Sequence, residues 1–385
     1  MDIVFYNDAP VFGGHEVMFV NVLKHILSVK AWKLGIVYCY KNKKLESELE
    51  QLKNIYPELV LFPDIYASSR LQYLRTFWSF RARRRIRSLF IDLSPDIVLA
   101  VQGDISLSTI GILSAKDVGC YTVSYLPMAH TRKQRGEKLS WLKDYVLRYY
   151  YQLPDHFITI SRSVLTQIRS RGANQPIEIV ENGISLDKLE VLDKKESRVQ
   201  LGIKRSSYIA ALCGRIEFKQ KGHDILLKAL AEHIDEFREW TFLIVGAGPD
   251  QDCLEKMIVD KGLTDIVQIV PWQANMSVIY SAIDMLIMPS LYEGVPVTML
   301  EGMYYRLPII GSDIDAMREL LPPEWVFPVK DEKLLCEKML QVRSQNIDCQ
   351  QEKNYNMVTV RFERERQEQE FEQVLNNCIG LSRGY

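Results

Sequence analysis

The chain has 385 residues, of which 47% are apolar and 25% charged. That is the mix of an ordinary soluble protein, and it excludes a mainly disordered chain, a collagen and a small disulfide scaffold. At roughly 150 residues per domain there is room for two or three. The 48 Lys and Arg against 49 Asp and Glu leave a net charge of −1, which marks neither a nucleic-acid binder nor an acidic tail. The sum hides a division. Residues 1–181 hold 24 basic and 17 acidic side chains, net +7, and residues 182–385 hold 24 and 32, net −8.

In chain order, short apolar runs stand at 2–6, 34–40, 59–62, 96–101, 121–126, 156–161 and 177–180. Between most of them lie 12–30 residues of helical spacing. Near-continuous apolar strands separated by helices imply a parallel sheet covered on both faces. The pattern restarts at 208–213, 242–245, 267–270, 285–288, 308–310 and 326–329, with helices such as 223–233 and 331–342 between. The polar, charge-rich segment 181–206 reads as the linker. Residues 354–381 read as one long charged helix with a sparse apolar face of Phe362, Phe371, Val374 and Leu375. The fold class is therefore α/β, with two doubly wound, Rossmann-like sheets and a cleft between them, and ligands are expected outside the carboxyl ends of the strands.

The seven cysteines, Cys39, Cys120, Cys213, Cys253, Cys336, Cys349 and Cys378, are odd in number and no two stand at CxxC spacing. Buried, reduced thiols in a reducing cytosol are the expectation. The opening MDIVFYNDAP carries charge where a signal peptide needs an apolar stretch, and reads as an immediate strand. No run approaches the ~18–20 apolar residues of a spanning helix.

Four motifs fall at strand-to-helix junctions. Phe12-Gly13-Gly14-His15-Glu16 lets backbone amides approach a ligand at a helix start, where the dipole favours an anion. By itself such a pair is often only a tight turn. Cys213-Gly214-Arg215-Ile216-Glu217-Phe218-Lys219-Gln220-Lys221-Gly222-His223 offers an arginine and two lysines to phosphate oxygens, without the spacing of a Walker A loop. Gly246-Ala247-Gly248-Pro249 is a glycine turn lacking the rest of a dinucleotide fingerprint. Glu293-Gly294-Val295-Pro296-Val297-Thr298-Met299-Leu300-Glu301 sets Pro296 in the first turn of a helix. It thereby pairs a loop carboxylate with a helix carboxylate, suited to accept hydroxyl hydrogens from a polyol.

In this order the motifs resemble retaining glycosyltransferases of family 4, which have the GT-B fold, and the resemblance covers nearly the whole chain. Gly13-Gly14 is similar to the family's N-terminal glycine pair, and Ser161 and Asn182-Gly183-Ile184 to the segments leading into the linker. Arg215 and Lys221-Gly222 are similar to the arginine and lysine of the donor-diphosphate site, Gly246 to Pro249 to the glycine turn, and Glu293 and Glu301 to the E-x7-E pair. The resemblance implies an acceptor-side domain at 1–181 and a nucleotide-sugar domain at 182–365. A final helix at about 366–385 would pack back on the first.

It also implies roles. Arg215 and Lys221 hold the donor diphosphate, with Lys219 a second candidate that counting does not separate from Lys221. Glu301 accepts from the ribose. Glu293 faces the transferring sugar, and amides along Gly294-Val295-Pro296 approach its hydroxyls, while Gly13, Gly14 and Gly246 line the donor site. His130, in LPMAH, is similar to the family's cleft histidine. The implied reaction is hexosyl transfer with retention from a UDP- or GDP-sugar to a saccharide or lipid-linked saccharide, in surface polysaccharide or glycolipid synthesis. The implied route is front-face, the leaving phosphate taking the acceptor's proton. No metal or cofactor is expected: Asp313-Ile314-Asp315 spells D-x-D, but in the wrong fold context.

Three positions depart from the family. Arg306 stands where a glycine ends the helix, so that helix is expected to end differently. Asp315-Ala316 replaces a glycine pair, which leaves the donor's identity open. Gly302 replaces an alanine. Two other readings stay in view: a non-catalytic nucleotide-sugar-binding or scaffold protein on the same fold, and a GT-B epimerase, whose acid–base set cannot be placed here.

Two stretches lie outside the motifs. Residues 70–90 hold seven arginines and four Phe or Trp, and residues 132–151 hold Arg132, Lys133, Arg135, Lys138, Trp141, Lys143, Arg148 and the triplet Tyr149–Tyr151. Helices of that composition suit the interface of an anionic membrane and fit a lipid-linked acceptor; the plainer reading is a solvated face with its aromatics in the core. No nucleic-acid recognition module accompanies them. The expected location is cytoplasmic, including peripheral attachment to the cytoplasmic face of a membrane.

Overall fold

The computed structural model describes residues 1–29, 32–69, 72–203, 208–273 and 275–384. They form two units. The first comprises residues 1–133, 137–182 and the chain from Glu365 onward, and the second residues 134–136 and 183–364.

The first unit holds seven strands: β1 (Ile3–Asn7), β2 (Leu34–Cys39), β3 (Val60–Asp64), β4 (Ile97–Val101), β5 (Tyr121–Tyr125), β6 (His156–Thr159) and β7 (Ile177–Ile179). Their order is β3-β2-β1-β4-β5-β6-β7. All pairings are parallel, and Ile3 lies between Leu34 and Ile97. Every residue of β1, β2 and β4 is buried, as a sheet with helices on both faces requires. The core beneath the helix Phe80–Leu93 joins Val4, Tyr6, Val37, Val98, Ile86 and Phe90. Gly111 lets the helix Thr109–Lys116 lie on β1, since a Cβ there would meet the Tyr6 ring at 2.4 Å.

The second unit holds β8 (Tyr208–Cys213), β9 (Trp240–Val245), β10 (Val267–Val270), β11 (Met285–Met288), β12 (Ile309–Ser312) and β13 (Val326–Phe327), in the order β10-β9-β8-β11-β12-β13. All are again parallel, and Ala210 lies between Phe242 and Met285. Stacked Trp240 and Phe242, with ring centres 5.6 Å apart, anchor one face. In each sheet the strand order reverses beside the first strand, between β1 and β4 and between β8 and β11. Both sheets are thus the doubly wound pattern that the alternation of apolar runs and helices implies, two Rossmann-like domains.

Four expectations need correction. The segment 181–206 is not an open linker: from Gly183 on it is built into the second unit, and its residues 204–206 lie outside the described chain. Ile184 bridges Glu363. The helix Lys194–Gln200 is held through Arg198, which donates to the Ala282 carbonyl at 2.9 Å and to Asp284 at 2.6 Å.

The last charged helix is two helices, Asp348–Arg361 and Arg364–Ser382. The break comes where the buried Phe362 gives its carbonyl to Ile184 N–H at 2.8 Å, and Ile184 returns its own carbonyl to Arg364 N–H. A tertiary ladder replaces one helical turn. The second helix then packs on the first unit, Phe371 edge-on to Tyr125 and Glu372 2.9 Å from His25 Nε2.

The helix before Arg306 ends in the way a glycine would end it. Arg306 takes φ +54°, its N–H bonds Met303 O, and Leu307 N–H bonds Gly302 O. The left-handed conformation is unfavourable for an L side chain, and it is offset here by the guanidinium, which lies 3.5 Å from the centre of the Tyr355 ring and 2.8 Å from Glu352. Finally, the thiols are not uniformly buried: Cys253 and Cys349 are exposed, and all seven are free.

Candidate active site

The second sheet reverses between β8 and β11, and the loops that leave those two strands converge. After β8 the backbone passes through Gly214 at φ +145°, and the stem of Lys221 lies over it, Cε 3.2 Å from where a Cβ would stand. A single helical turn, Phe218–Lys221, follows, closed by Lys221 N–H on Glu217 O. Gly222 then takes φ +67°, and a Cβ there would lie 2.0 Å from the Pro289 carbonyl oxygen. Glycine is required because the loop after β11 passes against it. Leu291 N–H completes the contact on Gln220 O at 2.8 Å.

This places Lys221 Nζ 2.6 Å from Glu293 Oε1, which also accepts from Ser290 Oγ at 3.0 Å. Glu293 is buried and its backbone N–H donates to Asp315 Oδ2 at 3.1 Å. Asp315, read in the sequence as the loss of a glycine, thus holds the loop that carries Glu293. Lys219, two residues from Lys221 and on another side of the turn, is exposed. Arg215 is also exposed, 3.5 Å from Glu217, and is not brought to the Lys221–Glu293 pair.

Pro296 is the residue before the helix Val297–Tyr304 rather than its first, and among the described residues no side chain caps that helix start. Its first amides and the positive end of its dipole are therefore unopposed by a side-chain acceptor. Gly294 and Val295 are buried just before it. Glu301 lies just over one turn in and accepts from Tyr280 OH at 2.6 Å. Burial pushes its carboxyl above the ordinary carboxylate range, against the pull of the Tyr280 hydrogen bond. Burial, then the Glu301 charge, raises the Cys213 thiol and the Tyr280 phenol, while Lys221 draws Cys213 the other way. These groups share one electrostatic environment. His223 is buried beside them without a partner for either ring nitrogen among the described residues. Burial and the charge of Lys221 take it down to about 4, so it is neutral at pH 7.

The glycine turn after β9 supports the Arg215 loop. A Cβ at Gly246 would lie 2.0 Å from Gly214 O, and one at Gly248 2.2 Å from Ile216 O. Ile216 N–H bonds Ala247 O, and Phe218 N–H bonds the Asp250 carboxylate at 2.7 Å.

In the first unit the glycine pair after β1 is organised by Glu16. This fully buried carboxylate accepts from Gly13 N–H at 2.7 Å and from Asn7 at 3.4 Å, and lies 2.7 Å from His15 Nε2. The His15 ring lies over Gly103, where a Cβ would be 2.4 Å away, so the loops after β1 and β4 meet. Gly14 opens the helix Gly14–Val29 with nothing within 4 Å of a Cβ position. His130 is buried beyond the carboxyl end of β5. Asp8, also buried, accepts Ser108 N–H at 2.9 Å through Oδ1, while Oδ2 has no partner among the described residues. Burial, with the nearby Asp64, pushes the Asp8 carboxyl up to about 7.

Sequence reasoning missed Asp8, Tyr280 and Ser290, and read Glu16 and Asp315 without their roles. Nothing in local spacing marks Tyr280, which sits in the helix Ser277–Ala282. Asp313 is paired with Arg318 at 2.7 Å, and among the described residues no three His, Cys, Asp or Glu are grouped to hold a metal ion.

Of the two basic stretches, residues 70–71 lie outside the described chain. Arg83 is paired with Asp117 and Arg85 with Asp64, and Arg132 is tied to Asp104 and Glu137 and Lys143 to Glu137. Ile86, Phe90, Leu147 and Tyr150 go to the core. Phe77, Trp78, Phe80, Trp141, Leu142, Tyr145 and Tyr149 remain exposed.

Residues 12–188 match the family model described as Glycosyltransferase Family 4, and residues 207–345 match that of Glycosyl transferases group 1. The lipopolysaccharide 1,6-galactosyltransferase of Salmonella typhimurium is 24% identical over 339 residues, 84% of this chain and 83% of that one. The UDP-Gal:alpha-D-GlcNAc-diphosphoundecaprenol alpha-1,3-galactosyltransferase of Escherichia coli is 29% identical over 155 residues, 39% of this chain and 40% of that one. Among solved structures, Anabaena HepE in complex with UDP superposes with a TM-score of 0.78 at 16% identity, covering 98% of this chain and all of that one.

Proposed function

The chain belongs to the group 1 and family 4 glycosyltransferases, on the GT-B fold, and from that premise we propose that it moves a hexosyl group, with retention, from a UDP- or GDP-sugar to a saccharide or lipid-linked saccharide. The observation that carries this reading is the buried Lys221–Glu293 pair beside the Tyr280–Glu301 pair, at the point where the second sheet reverses. Crevices at such switch points take ligands. Here a positioned cation, an uncapped helix start and two carboxylates answer to a diphosphate and a polyol.

In the reaction the bond from the anomeric carbon to the β-phosphate oxygen breaks, and one to the acceptor oxygen forms on the same face. The acceptor's proton passes to the leaving phosphate. Negative charge grows on that phosphate as positive character grows on the sugar. Lys221, once released from Glu293, and the first amides of the helix Val297–Tyr304 stabilise the phosphate, and donors placed in advance are where most of such a rate gain arises. Arg215, exposed on its loop, is free to close on the outer phosphate oxygens. These groups supply the positive charge that a divalent ion supplies elsewhere, and no step is assigned to a metal. Glu301 takes the ribose hydroxyls and Glu293 those of the sugar. His130 and the Gly13-Gly14 turn are contributed by the acceptor-side domain, and the turn approaches the donor.

The acceptor reading is lipid-linked, in surface polysaccharide or glycolipid synthesis at the cytoplasmic face of a membrane. Its support is the exposed stripe of Trp141, Tyr145 and Tyr149, four residues apart on one helix face. The lipopolysaccharide and diphosphoundecaprenol enzymes among the relatives point the same way.

A thermal-shift screen over nucleoside diphosphates and nucleotide sugars tests the donor, since a specific ligand raises the melting temperature by mass action. Hydrolysis of the stabilising donor without acceptor tests catalysis, and the anomeric configuration of the product tests retention. No stabilisation by any of them overturns the reading. Co-sedimentation with anionic vesicles tests the membrane face.

A further inference from the structure

The first unit carries a groove of about 510 Å3 that the transfer reaction does not use. It lies past the carboxyl end of β3, at the break between the helices Gln72–Trp78 and Phe80–Leu93. Ile65, Trp78, Phe80, Arg75, Arg81 and Tyr66 line it.

Two features that seldom coincide meet in this groove. Ile65 is 70% exposed, Trp78 69% and Phe80 67%. Single exposed apolar residues need no explanation. Three on one concave surface do, because the helix Phe80–Leu93 already satisfies the core with Ile86 and Phe90. The break between the helices keeps both rings outside: Ser79 Oγ donates to Arg75 O at 2.8 Å instead of capping the helix that follows.

The second feature is charge. The helix Phe80–Leu93 holds five arginines and one acid, Asp92. Arg83 and Arg85 are paired with Asp117 and Asp64, but Arg81, Arg84 and Arg87 have no partner among the described residues. Arg75 gives one nitrogen to Ala67 O and spreads its guanidinium over the Tyr66 ring at 4.7 Å. A ligand matching this surface has an apolar body and an anionic head. A free anion leaves the aromatic rim unused, and a neutral chain leaves Arg81 unused.

Phe77, the chain neighbour of Trp78, links the groove's rim to the helix of the exposed aromatic stripe. Phe77 stacks on Tyr150 with centres 5.8 Å apart and meets Tyr149 at 6.0 Å, which joins the break to the helix that carries Trp141. The groove also shares an end of the sheet with the acceptor-side turn: β3 and β1 are two strands apart, about 10 Å.

We propose that this groove binds a single lipid phosphate, its head on Arg81 and Arg75 and its chain along Ile65, Trp78 and Phe80, and that it thereby grips the lipid part of the acceptor. The proposal rests on the lipid-linked reading of the acceptor and adds the place and chemistry of the grip. The occupant is one lipid molecule drawn from the membrane, distinct from the general contact that the stripe makes with the bilayer.

The probe is farnesyl phosphate at submicellar concentration, titrated into the full chain without donor, with farnesol and inorganic phosphate as arms. Farnesyl phosphate is expected to bind at least about tenfold more tightly than either, and Arg81→Ala and Trp78→Ser each to weaken it by about tenfold or more. The double variant Trp141→Ser, Tyr145→Ser is expected to keep that affinity while losing anionic-vesicle binding. Equal affinity for farnesol, or unchanged affinity in Arg81→Ala and Trp78→Ser, overturns the groove. So does loss of farnesyl phosphate binding in the stripe variant, since the contact is then a general membrane one. Nucleoside-diphosphate stabilisation, read on every variant, reports whether the chain is folded. A photoreactive farnesyl phosphate on the wild-type chain needs no variant: labelling within 65–85 is expected, and labelling confined elsewhere overturns the assignment. A chain that binds farnesyl phosphate and transfers no sugar counts against the transferase reading alone.

Discussion

Lys221 and Glu293 are 72 residues apart in the chain and 2.6 Å apart in the fold, and both are largely buried. A buried pair of this kind contributes little net stability, but removing one partner strands the other charge. The pair is better understood as a cation held ready. On the proposed function, an arriving diphosphate competes with Glu293 for Lys221 and leaves the carboxylate to the sugar hydroxyls.

Lys221→Ala is therefore expected to lower kcat/KM by about 10²–10³-fold, the range for loss of one preorganised donor. Lys219→Ala, an exposed residue on another side of the turn, should stay within about threefold. Steady-state transfer assays on both variants decide it; near-normal turnover of the Lys221 variant sinks the assignment.

Tyr280→Phe removes the hydrogen bond that pulls the buried Glu301 carboxyl down. Glu301 is already raised by burial, so donor affinity should fall on acidification earlier than an ordinary carboxylate predicts. In the variant the fall should begin at higher pH still. Calorimetry of nucleoside diphosphate binding from pH 5 to 8 checks both, and superimposable curves contradict the ribose role of Glu301.

Asp8 makes stability depend on pH in the opposite sense to a salt-bridged acid. Its carboxyl rises from 3.8 to about 7 on folding because burial disfavours the anion. The folded state thus holds the proton more tightly, and stability is full below pH 4 and declines as pH rises through 7. The full difference is worth roughly 4 kcal/mol. The melting temperature of the wild-type chain should drop between pH 5 and 8, and Asp8→Asn should flatten that slope while keeping an acceptor for Ser108 N–H.

Glycines at the site separate into two kinds. Gly222→Ala and Gly246→Ala drive a Cβ to 2.0 Å from a backbone oxygen, at positive φ in both cases. Each should destabilise by about 2 kcal/mol or more, as overpacking and strain combine. Gly14→Ala meets nothing within 4 Å. Its melting temperature should stay within a degree or two of wild type, about 0.5 kcal/mol, so any loss of transfer in that variant reports ligand approach.

Arg306→Ala keeps the left-handed backbone and loses Tyr355 and Glu352, whereas Arg306→Gly loses the same contacts but relieves the backbone. The alanine variant should be the less stable of the two by about 1–2 kcal/mol, read from the shift in denaturation midpoint.

The central strands and the doubly wound class were legible because burial on both faces writes a strand such as β1, β2, β4 or β11 as a local apolar run, while β3 and β7, which are only partly buried, were legible from shorter runs. The glycine turns at Gly13 and Gly246 and the glutamate pair were legible as motifs for the same reason, their signal lying within ten residues. What the sequence hid is long-range. Nothing near Tyr280 says that it bonds Glu301, and nothing near Asp315 says that it holds Glu293. The helix after residue 348 shows no breaker in its own pattern, since the break at Phe362 is made by hydrogen bonds from Ile184. Arg306 looked like the loss of a helix stop, and kept the stop because Tyr355 and Glu352 lie under its side chain. By itself the sequence determined where the strands of both sheets run and which loops carry charge. The tertiary structure decided which lysine meets a glutamate, which carboxyl is desolvated and which aromatics stay outside, because each of those depends on crossovers that bring together residues that propensity treats separately.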